Sequence, residues 1–131
     1  MKTDYSIRQG ALSIRVLLDD LGSVLRLVWD GKSVDRNPSA FLQPFFEQWA
    51  TEAEEGKMRF SMDFSRLQFM NSSSITPIIF LVQDLRRRKI PIVIRYDRTI
   101  KWQQLSFSAL RVFQSPECRI ELLDTGAEDL G

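Results

Sequence analysis

Residues 57–96 read KMRFSMDFSRLQFMNSSSITPIIFLVQDLRRRKIPIVIRY, and this stretch decides the fold. Its first part, residues 57–64, alternates apolar and polar side chains with the period of a β-strand. Residue types favoured at helix N-caps follow at 71–74, and apolar residues then recur at helical spacing up to the basic run 86–89. Residues 90–96 form a mostly apolar strand, which we expect to be buried on both faces. The stretch therefore predicts a strand, a helix and a second strand parallel to the first.

The sequence before this stretch predicts three strands and a helix. Residues 12–18 and 24–29 flank a turn and predict an antiparallel hairpin, and an extra strand is expected near residues 5–8. A helix should begin at residue 40 or 45 and end at Glu55, with Gly56 in the position of a C-terminal cap. Its inner face consists of aromatic and small residues four positions apart: Phe41, Phe45, Trp49 and Ala53.

The sequence after this stretch predicts one more helix and one more strand. The helix should begin at residues 97–99, and the strand should span residues 118–123. The predicted inner face of the helix consists of Trp102, Leu105, Ala109, Val112 and Phe113. We therefore expect an α/β fold: a mixed, mostly parallel sheet with an N-terminal antiparallel hairpin and about three helices packed against it. Residues 1–124 should form a single domain, and residues 125–131 a short flexible tail.

Composition excludes several classes of function. The 131 residues contain 18 basic and 17 acidic side chains, so there is no basic excess with which to bind nucleic acid. The run 86–89 could bind an anionic surface, but a solvated helix end that complements its own dipole is the favoured explanation. The chain has no histidine and a single cysteine, Cys118, which excludes imidazole catalysis, an internal disulfide and a Cys-rich metal site. No apolar run reaches the length of a membrane span. We expect a cytoplasmic protein that needs no cofactor or metal.

Residues 63–75, DFSRLQFMNSSSI, resemble the phosphorylation segment of STAS domains, the sulfate-transporter and anti-sigma-factor-antagonist family. In that family a strand ends in a Phe-Met-Asp-Ser-Ser-Gly turn that opens a helix. Here Asn71 replaces the acidic residue, and Ser74 replaces the glycine. The turn is closer to the STAS-related regulatory phosphoprotein branch, which carries Asn-Thr-Ser-Ser and has an aromatic helix resembling residues 41–49. The resemblance covers residues 57–123 well and the first half of the chain in outline.

The resemblance implies a non-enzymatic signalling module whose partner binding is switched by serine phosphorylation. Its phosphoacceptor is the residue after the turn's Asn, which is Ser72, with Ser73 as the second candidate. The implied partner-binding residues are Asn71, Ser72, Ser73, Ser74 and Asp63, where Asp63 at a strand end would help to bind the nucleotide-bound metal of a kinase. The implied partners are a serine kinase of the anti-sigma type, a serine phosphatase and one signalling target. The target is the partner of an anti-sigma factor antagonist or, in the alternative, a diguanylate cyclase or another signalling enzyme.

Two other interpretations stay open on sequence alone. The serines could serve only as helix caps in a constitutive interaction scaffold, because an N-cap hydroxyl accepts a hydrogen bond from an otherwise unpaired helix N–H. A small enzyme using carboxylates or serine-lysine chemistry is the third class, but the sequence has no paired acidic motif and no Ser-x-x-Lys. We therefore expect no small-molecule substrate.

Overall fold

The described part of the chain forms a six-stranded mixed sheet with helices between its parallel strands. Its structure, a computed structural model, describes residues 2–19, 23–97, 99–108 and 120–124. The strands are β1 (Lys2–Gln9), β2 (Leu12–Asp19), β3 (Val24–Ser33), β4 (Arg59–Met70), β5 (Ile92–Tyr96) and β6 (Ile120–Asp124). The helices are α1 (Ser39–Glu55), α2 (Ser72–Arg87) and α3 (Lys101–Ser108).

The strands lie in the sheet in chain order, from β1 at one edge to β6 at the other. β1, β2 and β3 are antiparallel neighbours, which confirms the predicted hairpin and the extra N-terminal strand. From β3 to β6 each pair is parallel. The predicted parallel pairing of the strands on either side of α2 is therefore confirmed. Right-handed crossovers in a sheet of this order place the connecting helices on the same side.

The hydrophobic core lies between the sheet and α1 and α2. Trp29 of β3 occupies its centre, with its ring centroid 5.9 Å from that of Phe46 in α1 and 4.9 Å from that of Phe64 in β4. The core also contains fully buried apolar side chains of four strands: Ile14 of β2, Leu27 of β3, Met62 of β4, and Ile92 and Ile94 of β5. Pro44 lies inside α1, within its first two turns.

The predicted burial of β5 on both faces is wrong. Ile92, Ile94 and Tyr96 are buried, whereas Val93 and Arg95 between them are half-buried. Buried and half-buried residues alternate because α1 and α2 cover one face of the sheet. We call the opposite face the far face; it carries the side chains that alternate with the core residues, Val93 and Arg95 among them.

β4 is longer than the alternation of residues 57–64 predicts, because it runs on to Met70. Its register against β3 shifts after Asp63, and beyond that residue β4 no longer pairs with β5. Beyond Asp63, the side chain of Gln103 in α3 packs against this edge of β4 and bonds to its backbone. Its amide Nε2 donates to the backbone oxygens of Phe64 at 2.8 Å and Leu67 at 2.9 Å.

The predicted inner face of α3 is wrong in one described position. Leu105 is 66% exposed, whereas its neighbour Gln103 is fully buried. Trp102 is half-buried, and its indole Nε1 donates to the backbone oxygen of Gln68 at 3.0 Å. Other predicted features lie outside the described residues: the inner-face positions Ala109, Val112 and Phe113, the lone Cys118, and the tail 125–131.

Candidate functional site

Asn71 ends β4 and caps the N-terminus of α2. Its backbone is extended, and its side-chain Oδ1 accepts a hydrogen bond from the backbone N–H of Ser74 at 3.1 Å. Its Nδ2 donates to the backbone oxygen of Asp35 at 2.9 Å, and its backbone N–H donates to that of Ser33 at 2.9 Å. An aspartate could make the cap but could not donate to Asp35. The amide therefore explains why this turn carries Asn in place of the acidic residue.

Ser74 is an internal structural residue. It is fully buried, and its Oγ lies 2.7 Å from Asn71 Oδ1 and 2.7 Å from the hydroxyl of Ser33, which is itself buried. The structure thus brings Ser74 to the turn, as the sequence indicated, but points its hydroxyl into the protein. Its hydroxyl therefore holds the turn from inside and is not exposed at the surface.

Ser72 and Ser73 are the first two residues of α2, and both are exposed. The cap is made by Asn71, and neither of these two hydroxyls bonds to a residue in the described part of the chain. The first turn contains no acidic residue. Free N–H groups and the positive end of the helix dipole favour an anion at this position. The turn therefore presents two accessible nucleophilic hydroxyls where a phosphate would be tolerated.

The loop after β3 supports the turn through Asp35. The backbone N–H of Asn37 donates to the Asp35 carboxylate at 2.9 Å, and the side chain of Gln9 donates to it at 3.2 Å. These hydrogen bonds, that from Asn37 first, lower the pKa of the Asp35 carboxyl below its usual value. The ionised carboxylate thus helps to hold the loop whose carbonyl binds Asn71.

Asp63 does not belong to this cluster. It lies inside β4, not at a strand end, and precedes Asn71 by eight residues, about 25 Å of extended chain. Its Oδ1 accepts hydrogen bonds from the backbone N–H of Ser65 at 2.9 Å and from its hydroxyl at 2.6 Å. The expected position of Asp63 at a strand end is therefore wrong, and its carboxylate holds Ser65 next to the shift in register of β4.

Two exposed phenylalanines lie near the turn, and the sequence pattern did not indicate them as site residues. Phe69 precedes Asn71 by two residues and is 44% exposed; its ring lies 6.3 Å from that of Trp102. Phe80 is 50% exposed and shares the outer face of α2 with Ser72, two turns and about 12 Å further along the axis. The sequence could have indicated that Phe80 is exposed, because the helical periodicity places it outside the apolar face of α2.

Comparisons with solved structures agree with this architecture. The chain matches the crystal structure of diguanylate cyclase SiaD in complex with its activator SiaC from Pseudomonas aeruginosa, at 20% identity and a TM-score of 0.65, over 92% of this chain and 99% of that chain. The fold is STAS-like. It also matches SiaC of Pseudomonas aeruginosa (19%, TM-score 0.62, 92% and 96% covered) and apo-SiaC from the same organism (18%, 0.58, 92% and 98%). No protein-family model and no curated protein matches the chain.

Two further properties of this STAS-like chain concern its described residues. None of the helices among them is long and apolar enough to cross a membrane. Within the same ranges, no group of three or more His, Cys, Asp or Glu side chains is placed to hold a metal ion.

Proposed function

We propose that the protein is a non-enzymatic signalling regulator of the STAS-related regulatory phosphoprotein type, and that phosphorylation of Ser72 switches its binding to a target protein. The observation that carries the proposal is that the polar side chains of one turn have two different roles. Asn71 and Ser74 use their polar atoms to hold the turn, while Ser72 and Ser73 leave their hydroxyls exposed at the start of α2. The similarity in fold to SiaC, described as the activator of a diguanylate cyclase, supports it.

A phosphate on Ser72 would change binding more than folding. It adds about −1.5 to −2 charges to a protein whose formal charge is +1. The first turn of α2 tolerates this charge, because its N–H groups and dipole favour anions. In a docked complex the same charge would be desolvated and would repel acidic groups. A loss of about 3 kcal/mol would weaken the complex more than a hundredfold.

The target most directly suggested is a diguanylate cyclase, because one matching structure contains such an enzyme with its activator. The docking surface would include the outer face of α2, on which Ser72, Thr76 and Phe80 are all exposed. Partly exposed aromatic residues often contribute strongly to protein interfaces. A serine kinase of the anti-sigma type and a serine phosphatase would set the phosphorylation state. A sigma-factor pathway is the alternative setting for the same switch.

Mapping the phosphorylated residue tests the switch. The protein is incubated with ATP and the cognate kinase from its host, and the site is identified by mass spectrometry for the wild type, Ser72→Ala and Ser73→Ala. Ser39→Ala is the matched control, because Ser39 is also the first residue of a helix. We expect label on the wild type, Ser73→Ala and Ser39→Ala, and none on Ser72→Ala.

Each other outcome has a defined meaning. Label lost only in Ser73→Ala would move the acceptor by one residue. Label unchanged in both variants, or absent from the wild type, would contradict the switch and leave a constitutive scaffold. Binding of the host's diguanylate cyclase to Ser72→Asp, measured by calorimetry, should be weaker than to Ser72→Ala, since the carboxylate adds charge at the same position. Equal affinities would remove the electrostatic explanation.

A further inference from the structure

Charged residues form a row across the far face of the sheet. Arg8 of β1 is paired with Ser13 of β2, Ser13 with Asp30 of β3, and Asp30 with Arg66 of β4. Residues paired across neighbouring strands point to the same face. Arg8 and Arg66 therefore lie at the two ends of one row, about 14 Å apart at their Cα atoms.

A cavity of about 370 Å³ opens above this row. Its lining includes three arginines and one carboxylate: Arg8, Arg15, Arg66 and Asp30. Arg15 lies one row further along β2, paired with Val28. The cavity is therefore surrounded by guanidinium groups from three different strands.

The end wall of the cavity is fixed by two glycines. Gly10 forms the turn between β1 and β2 with a φ of +60°, and Gly31 of β3 has a φ of +91°. A Cβ at Gly31 would lie 2.0 Å from the backbone oxygen of Ala11, so the turn packs directly on β3. The same oxygen accepts a hydrogen bond from the backbone N–H of Lys32 at 3.0 Å. The cavity is thus preformed by backbone contacts.

More cationic than anionic side chains line this cavity. Arg8 and Arg66 face the single carboxylate of Asp30, although the whole chain is nearly neutral. Among the described residues, neither Arg8 nor Arg66 has an ion pair or a side-chain hydrogen bond, even though Asp30 lies beside Arg66 in the row. Guanidinium forks match the geometry of phosphate oxygens. These two side chains can therefore bind an anion without first breaking an internal contact.

We propose that this cavity binds a phosphorylated small molecule of about the size of a mononucleotide. Its volume lies in the lower part of the range for small-molecule sites. The arginines would bind the phosphate, and the Asp30 carboxylate would accept a hydrogen bond from a hydroxyl or N–H of the organic part. The site is separate from the proposed switch, since Arg66 precedes Asn71 by five residues, about 16 Å of strand.

Calorimetric titration of the full chain at low ionic strength tests the proposal. The probes are adenosine 5′-monophosphate, guanosine 5′-monophosphate, inorganic phosphate and adenosine. We expect saturable binding of a nucleotide and none of adenosine. Arg8→Ala and Arg66→Ala should each weaken nucleotide binding roughly tenfold or more, because each removes charge-assisted hydrogen bonds. Arg26→Ala is the matched control, since Arg26 is exposed on the far face but does not line this cavity.

The remaining outcomes also decide the matter. Inorganic phosphate binding as tightly as a nucleotide, and equally sensitive to Arg66→Ala, would support the site and make free phosphate its ligand. Asp30→Asn should reduce the preference for nucleotide over phosphate. The proposal is overturned if no phosphorylated probe binds saturably, if adenosine binds as well as its phosphate, or if Arg26→Ala weakens binding as much as Arg66→Ala. Unchanged melting temperatures of the variants confirm that they fold.

Discussion

Replacing Ser74 by alanine should destabilise the fold, unlike the same change at Ser72. Ser74 is fully buried, and its Oγ contacts Asn71 Oδ1 and Ser33 Oγ, both at 2.7 Å. Two lost hydrogen bonds cost about 1 kcal/mol each, and the Ser33 hydroxyl, left buried without this partner, adds up to about 1 kcal/mol more. We therefore expect a loss of about 2–3 kcal/mol in the free energy of unfolding. With an unfolding entropy of about 2.1 cal/mol/K per residue, this lowers the Tm by about 7–11 °C.

Urea denaturation followed by circular dichroism measures this effect in a double-mutant cycle. The cycle consists of Ser33→Ala, Ser74→Ala and the double variant, with Ser72→Ala as the exposed control. The double variant should cost little more than Ser74→Ala, because it leaves no orphaned hydroxyl, and the coupling free energy should be about 1 kcal/mol. Ser72→Ala should stay within about 0.5 kcal/mol of the wild type. Additive costs, or a Ser74→Ala variant as stable as Ser72→Ala, would refute the assignment of Ser74 as the structural serine.

Three further predictions follow from other contacts. Gln103→Leu should cost about 3 kcal/mol in urea denaturation, because it removes two bonds to β4 and the bond from the Asp97 N–H. Lys101→Ala on the same helix should cost little, and equal losses of stability in the two variants would contradict the role of Gln103 at the edge of β4. The lowered pKa of Asp35 means that its contribution to stability is present above its unfolded pKa and is lost as pH falls through the folded value. The Tm difference between wild type and Asp35→Asn should therefore shrink below about pH 4, and a difference constant with pH would exclude this linkage. Phe80→Ala should keep its Tm but bind a diguanylate cyclase about tenfold more weakly; unchanged affinity would exclude Phe80 from the interface.

The sequence predicted the order of strands and helices because most elements follow a simple period. It failed for the second half of β4 because the register shift breaks that period. Phe64 and Leu67 are both fully buried although they are three residues apart, so strict alternation cannot describe the strand. The ladder between β4 and β5 ends at Asp63, and Gln103 Nε2 donates to the backbone oxygens of Phe64 and Leu67 beyond it. These hydrogen bonds explain why Gln103 is buried. No local pattern in α3 could have indicated that this glutamine would be buried while Leu105 is exposed.

The position of the candidate site could be predicted from the sequence, but the different roles of its serines could not. Consecutive serines at a predicted N-cap indicate the start of a helix, and they do not show which hydroxyl points inward. That is decided by Ser33, which lies 41 residues before Ser74 in the chain and reaches it because β3 and β4 are parallel neighbours. A contact of this kind is a property of the sheet, and it appears only when the strands are assembled.

The geometry of the turn explains how one short segment can be both rigid and open to modification. Its backbone is fixed from two sides, by the cap that Asn71 gives to α2 and by the bonds from Asn71 to Ser33 and Asp35 of the β3 strand and its following loop. None of these bonds uses the hydroxyl of Ser72. Adding a phosphate there changes the charge of the surface without removing a bond that holds the turn. Effects on stability and on binding should therefore separate within these four residues. Substitutions at Asn71 and Ser74 should change stability, and substitutions at Ser72 and Ser73 should change binding.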